Sequence, residues 1–428
     1  MFSSLFSTSA PVDPQAPNFF PVAAGVPANE LFGELQPADT EWLCAGGFTT
    51  ETQTFYLNTG DSKTIMCQVI HSAVGLWYPQ IQFNCKVHDT KTGQHIWKSI
   101  HVNNFVTPPP GLDKRSSKAD EFSITHKSHP DNTDFPESYT IRANLGQDMQ
   151  ISLELKRYSG VPGFKVGKGP KGGYSYFGTD PTKPDGFVIH RFWPRLLAEG
   201  HFVHNGKAEV VEGPGMFVHA IQGMRPNLVA SAWNFVHFQS PALGGVSAIQ
   251  MEFKTIDQYG KRGAGSGYVV VNVGSLVVGN KLVAVTAETI WPNEDPSPGE
   301  AAVKSKVVHL KPENDPDTGY NKPNEISFEW KGTSLVPDAP GDITASQLAG
   351  LGSVAEPRGL VEKVDVLAEI PYVVKMAVSY VAGTKPYIYQ WFNPATLKIT
   401  GPEALAAGLS QGVEVEGMLY NEATFISL

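Results

Sequence analysis

Cysteine is scarce: Cys44, Cys67 and Cys85 are the three thiols in a chain of 428 residues. So few, so scattered, exclude a disulfide framework and fit a reducing compartment. Charge is thin too, at 18% of residues with a net balance of −9, so the basic footprint of a nucleic-acid binder is missing. No lysine or arginine precedes Lys63, and no apolar signal core stands near the start, as a secretory leader would require. No Asn-x-Ser/Thr acceptor occurs either, which agrees with a cytosolic location. Long hydrophobic runs are also lacking. The most apolar window, 268–285, is broken by Asn272, Gly274, Ser275 and Gly279-Asn280-Lys281. These read as turns between strands rather than part of a membrane span of roughly 20 apolar residues.

Catalytic patterns are missing as well. GKGPKG (167–172) has the spacing of a dinucleotide-binding loop, but Pro170 sits inside it and a strand-like GYSYFG follows. A hairpin loop is the expectation, with Lys165, Lys168 and Lys171 solvated. His201 and His204 fall on opposite faces of a strand, and His219 and His237 look like satisfied histidines of one interior, so no metal and no cofactor are called for. Acidic residues lie in loops or on wet strand faces. Glu252 is the exception if its face lines a barrel, but no partner for acid–base work stands out.

What the chain does have is turns and alternation. The 42 Gly and 33 Pro fall between short apolar runs. In 81–88, Ile81, Phe83, Cys85 and Val87 share one face, and Gln82, Asn84, Lys86 and His88 the other. The segments 139–145, 151–157, 249–255, 326–330 and 413–418 alternate likewise, which predicts antiparallel sheet with one buried and one wet face. The fold class is therefore all-β, in barrels or sandwiches, with few short helices at 227–235, 371–381 and 402–409. Loops are expected at 107–120, 159–186, 292–300 and 311–323. Residues 1–40 read as a leader without strand pattern, 41–212 as a first domain and 213–428 as a second, divided where aromatic content drops at 205–214.

Two stretches stand out. The run 215–240, followed by 248–255, is rich in Phe, Trp, His and Gln around a Gly-Met-Arg-Pro corner at 223–226. It suits an aromatic-lined interior with a few polar handles, which holds an apolar molecule. Trp193, Trp233, Phe235 and Phe238 are the candidate wall, and Gln222, Asn234 and Gln239 the candidate head contacts. Arg195 and Arg225 are read as arginines that stack on rings or tie strand ends, with ligand contact as the second role for Arg195. In 1–10, Phe2, Leu5 and Phe6 form an apolar stripe opposite a Ser/Thr face, predicting a short helix that inserts into loosely packed bilayers. A disordered tail is the alternative.

Several of these segments resemble a known family. VAGTKPYIYQ (381–390), LVEKVDVLAEIP (360–371), the FWPR box (192–195), the FVHAIQGMRP–AWNF–FQS run and EATFIS (422–427) are similar, in one order, to the fungal oxidative-stress survival factors, the Svf family. The resemblance extends from about Thr50 to the C-terminus. It implies two lipocalin-like antiparallel barrels in tandem and lipid handling rather than catalysis. It further implies ceramide as partner, non-vesicular movement from endoplasmic reticulum to Golgi, and survival of oxidative stress. The expected location is cytoplasmic, peripheral on those membranes through the N-terminus, and in the nucleus. Two departures stand beside this: the leader lacks a basic residue, and the acidic inter-barrel insertion of some members is reduced to 204–213. Similar paired barrels also serve enzymes such as cyclases and hydratases that act on apolar small molecules, so an enzyme is the alternative. An acid near the ligand, such as Glu252 or Asp257, would favour it.

Overall fold

The computed structural model describes residues 16–60, 62–74, 78–260, 268–292, 302–369 and 385–427. Two antiparallel sheets dominate. The main path of the first runs His95–His101, Gln80–Asp89, Lys63–Val74, Phe48–Thr59, Lys207–Gln222, Gly186–His204, Met149–Arg157, Glu137–Asn144, Phe122–Ser128 and Ser117–Lys118. The second runs Lys281–Ile290, Val270–Val278, Val246–Lys254, Ala232–Ser240, Val413–Phe425, Tyr387–Thr400, Asp342–Gly350, Asn321–Thr333 and Lys304–Asn314, with Leu360–Asp365 beside Tyr387–Thr400. Each sheet curls on itself. Six strands lie between those of Phe83 and Phe122 in the first path, yet the two rings lie 5.1 Å apart. In the second, Trp330 Nε1 donates to the Ile249 carbonyl at 2.9 Å across the barrel. The expected all-β pair of barrels is what the chain forms.

Alternation assigns the side chains. Phe55, Leu57, Cys67, Phe83, Cys85, Val87 and Phe217 point into the first core, and Val236, Phe238, Ala248, Trp391 and Leu419 into the second. The opposite faces were read as wet, and here the structure departs from the sequence reading. Tyr56, Met66, Met216 and Val218 of the first sheet pack on Phe235, Ile249, Val273, Met418 and Tyr420 of the second. Lys86 and Asn84, the polar face of 81–88, are 3% and 6% exposed. Period-two polarity says that a strand has two faces but not what covers the second.

The boundary placed at 212–213 moves. Lys207–Gln222 pairs with Gly186–His204 and Phe48–Thr59, so it closes the first sheet, and the second begins at Ala232. The corner between them needs Gly223, because a Cβ there would lie 2.4 Å from the Phe187 ring. The helix expected at 227–235 shrinks to Pro226–Val229, since Ala232–Ser240 is claimed by ladders on both sides. The segment 402–409 is mostly turn, with a 3-10 turn at Leu409–Gln411, and 371–381 lies outside the described residues. Three expected loops hold strand residues: Ser117–Lys118 within 107–120, Phe164–Val166 and Tyr174–Phe177 within 159–186, and the facing ends of the hairpin Lys304–Asn314/Asn321–Thr333 within 311–323.

The leader is also more structured than its composition implied. Phe19–Phe20 pairs with Phe177 and Tyr176, and Phe32–Glu34 with Phe164–Val166. The Phe19 ring lies 4.9 Å from Phe177 and 6.2 Å from Phe253, so it touches both barrels. The short helix Pro37–Thr40 brings Asp39 to Lys165, whose Nζ donates to both carboxylate oxygens at 2.7 Å, with Arg191 Nη2 at 3.4 Å. Lys165 was read as solvated and is instead 2% exposed. Removing one partner of such a buried cluster leaves an uncompensated charge. Asp39→Ala is therefore expected to lower unfolding stability by about 3–5 kcal/mol, measured by urea denaturation. Adding Lys165→Met should recover part of the loss, whereas an unchanged midpoint in D39A would contradict the role given to the cluster.

Candidate functional site

The outer faces of the two sheets do not meet everywhere. At one end they leave a cavity of about 370 Å³, near the lower end of ligand pockets. Register builds its walls. On the second sheet, Glu362, Gln390, Glu422, Phe235, Met251 and Val273 are successive cross-strand partners, one row that passes from polar to apolar. The next row contains Ile388, Thr424, Trp233 and Phe253. Facing them from the first sheet are His190, Ala220 and Thr52 in one row and Gln222 and Thr50 in another. Val366, Leu367 and Pro386 border one side, flanking residues 370–384, which are outside the described set.

The lining is apolar with few polar groups. The His190 ring stands edge-on to Trp233 at 5.7 Å, and burial holds its pKa down to about 4, so it is neutral near pH 7. Glu422 is the one acid among the described lining residues. Its Oε1 accepts from Tyr420 Oη at 2.5 Å and from Gln390 Nε2 at 2.6 Å. Burial raises its pKa, while those two donors and Lys86 act against the rise. Lys86 reaches over from the first barrel, donates to Gln390 Oε1 and Glu362, and lies 4.6 Å from the centre of the Trp97 ring. The polar end of the cavity is thus a relay of Glu362, Lys86, Gln390, Glu422 and Tyr420 that spans both barrels.

Trp233, Phe235 and Gln222 line the cavity. The other candidates are elsewhere. Trp193 packs inside the first barrel, 5.0 Å from Tyr139 and 5.4 Å from Phe217, and Phe238 lies inside the second. Asn234 also faces that interior, where it donates to Glu252 Oε1 at 2.9 Å and accepts from His309 Nε2 at 2.7 Å. Burial pushes Glu252 up to about 7, helped by Glu288 and opposed by its hydrogen bonds from Asn272 and Asn234. Gln239 and Arg195 join the barrels away from the cavity: Arg195 Nη1 donates to Gln239 Oε1 and Nε to Asn280 Oδ1, both at 2.7 Å. Gly245 lets this clamp form, since a Cβ there would lie 2.3 Å from Asn280 Oδ1. Arg225 stacks over Phe48 at 4.3 Å, and Asp257 is exposed in a turn.

His219 and His237 do not share an interior. His219 spans the Glu51 carboxylate and the Asp39 carbonyl inside the first barrel. His237 lies between the barrels, its ring 5.2 Å from Tyr56 and 5.6 Å from Tyr420. Phe2, Leu5 and Phe6 fall outside the described residues. Among the described residues no group of three potential metal ligands converges, and no helix is long and apolar enough to cross a membrane. Sequence reasoning missed Thr50, Thr52, His190, Ile388 and Glu422. Each sits on an outer face, and only strand register brings them together.

Known proteins share this architecture and much of the sequence. A model of the Svf1 family matches residues 2–427. Similar proteins include ceramide-binding protein svf1 of Schizosaccharomyces pombe, 34% identical over 95% of this chain and 93% of its own. Ceramide-binding protein svf-1 of Neurospora crassa is 34% identical over 92% of this chain and 90% of its own. Among solved structures, CghA with Sch210972 superposes over 96% of this chain and 98% of its own, with a TM-score of 0.54 at 10% identity. A putative AttH from Nitrosomonas europaea covers 92% and 97%, at 0.50 and 13%. At such identities these two speak for the lipocalin-like fold alone. The chain belongs to the Svf1 family.

The inter-barrel face carries a measurable acid sensitivity. Burial holds the His237 pKa down to about 3, below the roughly 6.5 of an unfolded chain. A histidine kept neutral in this way contributes stability above about pH 6.5 that is lost as pH falls toward the folded value. His237→Phe keeps a ring among aromatic neighbours and removes that proton uptake. The variant is expected to gain on wild type by about 1.4 kcal/mol per pH unit below about 6.5, read by urea denaturation at pH 7.5, 6 and 5. Parallel stability curves would contradict this assignment.

Proposed function

We propose that this member of the Svf1 family binds a ceramide-class lipid between its barrels and carries it between membranes. The observation behind the reading is a cavity lined by Trp233, Phe235, Met251, Ile388 and Ile426, with the polar groups Glu422, Gln222, Thr50 and Thr424 on its wall. Acyl chains favour such a surround by about 0.8 kcal/mol per buried CH₂, which offsets part of the cost of leaving a bilayer. The hydroxyl and amide groups of a ceramide head need a few neutral partners and no counter-charge. The names of the relatives, ceramide-binding proteins, support the same ligand. So does the placement of the stretches that carry the family resemblance: 360–371, 381–390 and 422–427 all contribute to the wall.

The fuller reading is a carrier that moves ceramide from the endoplasmic reticulum to the Golgi without vesicles and supports survival of oxidative stress. It works from the cytoplasm, peripherally on both membranes and also in the nucleus. Phe2, Leu5 and Phe6 supply the membrane contact, each side chain worth on the order of 1.5–3 kcal/mol at full burial, so attachment is weak and reversible. The family resemblance and the apolar stripe at the N-terminus support this reading.

An enzyme acting on an apolar small molecule is the second reading, and Glu422 is the observation in its favour, as an acid held on the cavity wall. Glu252 does not add to it, because it faces the barrel interior with Asn234 and Asn272. Binding is preferred because Glu422 is hydrogen-bonded to Tyr420 and Gln390 and not to His190, the other titratable group among the described lining residues, so the two do not form an acid–base pair.

Lipid extraction from the purified protein, followed by mass spectrometry, tests the reading directly: ceramide recovered unchanged supports it, and a converted polyene or phenolic compound supports the enzyme. Ala220→Phe fills the cavity from the first barrel. Transfer of ceramide between vesicles should drop about tenfold or more while the melting temperature holds; full transfer with a filled cavity would rule the site out. Deleting residues 1–12 should reduce flotation with liposomes and leave ceramide binding intact, whereas unchanged flotation would remove the N-terminus from membrane attachment.

A further inference from the structure

We infer that Glu422 selects the class of lipid held between the barrels, admitting uncharged lipids whose heads donate hydrogen bonds and excluding phosphorylated ones. The inference rests on the ligand reading above and deepens it. Glu422 stands on the cavity wall between Gln390 and Phe235, where the polar row of the second sheet turns apolar. A lipid lying along that row would set its chains on Phe235 and Met251 and its head at the carboxyl group.

The carboxyl is fixed and half occupied. Tyr420 and Gln390 both donate to Oε1, while Oε2 takes no hydrogen bond among the described residues. Two donors on one oxygen lock the rotamer and leave the other as a preorganised acceptor. A head with hydroxyl or amide N–H groups satisfies it. A diacylglycerol head has one hydroxyl where a ceramide has two and an amide N–H, and its ester carbonyls bring acceptor against acceptor, so it satisfies the carboxyl group less well.

The surroundings act against an anion. The other polar lining residues are Thr50, Thr52, Thr424, Gln68, Gln222, Asn227 and the neutral His190, so no cation stands on the described wall. Lys86 is the nearest cation in the relay, but its ammonium is engaged by Glu362 and Gln390 and it is not among the lining residues. A phosphate entering here would lose its hydration, meet no counter-charge and face a carboxyl group, which is a repulsive element against the wrong ligand.

The test measures protein-mediated transfer between vesicles with three probes of matched chains: ceramide, diacylglycerol and ceramide 1-phosphate. Wild type should rank them in that order, with ceramide at least about tenfold ahead of ceramide 1-phosphate. Glu422→Gln keeps shape and an acceptor oxygen but removes the acid, and should narrow the gap to ceramide 1-phosphate about tenfold. Glu422→Leu should erase the preference for ceramide over diacylglycerol. Preference ratios separate recognition from stability, since a merely loosened cavity lowers all three probes together. If the leucine variant does not fold, the glutamine variant decides alone. Ratios unchanged from wild type overturn the inference and leave the ligand reading intact; a wild-type protein that transfers no ceramide overturns the ligand reading itself.

Discussion

A lysine reaching from one barrel into the other sets much of what surrounds the cavity. Lys86 is 3% exposed, and an ammonium so placed needs acceptors on every side. Glu362 and the Gln390 carbonyl oxygen supply them. With its oxygen turned to Lys86, the Gln390 amide must aim its N–H₂ along the sheet, and the next residue in that row is Glu422. Tyr420 completes the set from two positions along the same strand. One buried charge thus fixes the orientation of an amide and a carboxyl, and the carboxyl belongs to the cavity wall. The relay also couples the two sheets through hydrogen bonds with strict geometry, where the neighbouring contacts of Tyr56, Phe235 and Tyr420 are apolar and tolerant.

The barrels themselves leave little room. A closed sheet of about eight strands is just wide enough for side chains to fill, and the rings of Phe55, Tyr139, Trp193 and Phe217 fill the first, with centroids 4.8–5.4 Å apart along the stack. The second is packed by Trp330, Trp391, Phe238 and Phe328 and by the hydrogen-bonded group of Asn234, Glu252 and Asn272. Between the barrels, two curved sheets touch along part of their faces, and the space left over is the cavity lined by Trp233 and Phe235. The same geometry explains why the aromatics of 215–240 divide among three environments: each strand sends alternate residues to its own core and to the shared face.

Much of the fold was legible. Alternation at 81–88, 139–145, 151–157, 249–255 and 413–418 falls within observed strands, because a half-buried ladder imposes period two whatever the wider topology. Of the site, Trp233, Phe235 and Gln222 were legible because aromatic density and neutral amides stand out in a lightly charged chain. Trp193 and Phe238 carried the same signal with a different fate, since composition cannot tell a core face from an outer face. Glu422 carried none: it looked like one more acid on a wet strand, and only its register with Gln390 and Phe235 makes it part of a wall. The leader misled for another reason. Its proline- and alanine-rich composition lacks periodicity, yet single residues, Phe19 and Asp39, dock it through specific partners.

The placement of the cavity bears on how a ligand could come and go. A lipid enclosed in a barrel would replace core side chains, and its departure would cost the fold its packing. Here the chain's own side chains build both cores, so occupancy of the space between them would be separable from folding. The face around that space mixes apolar contact with hydrogen-bonded ties, among them the Lys86 relay and the Arg195 clamp to Gln239 and Asn280. Ties of that kind hold register when formed and exchange partners with water when parted, at less net cost than exposing a continuous apolar interface of equal area. Two barrels joined by such a face would keep a lipid between them dry while bound and part at a lower cost than a continuous apolar interface.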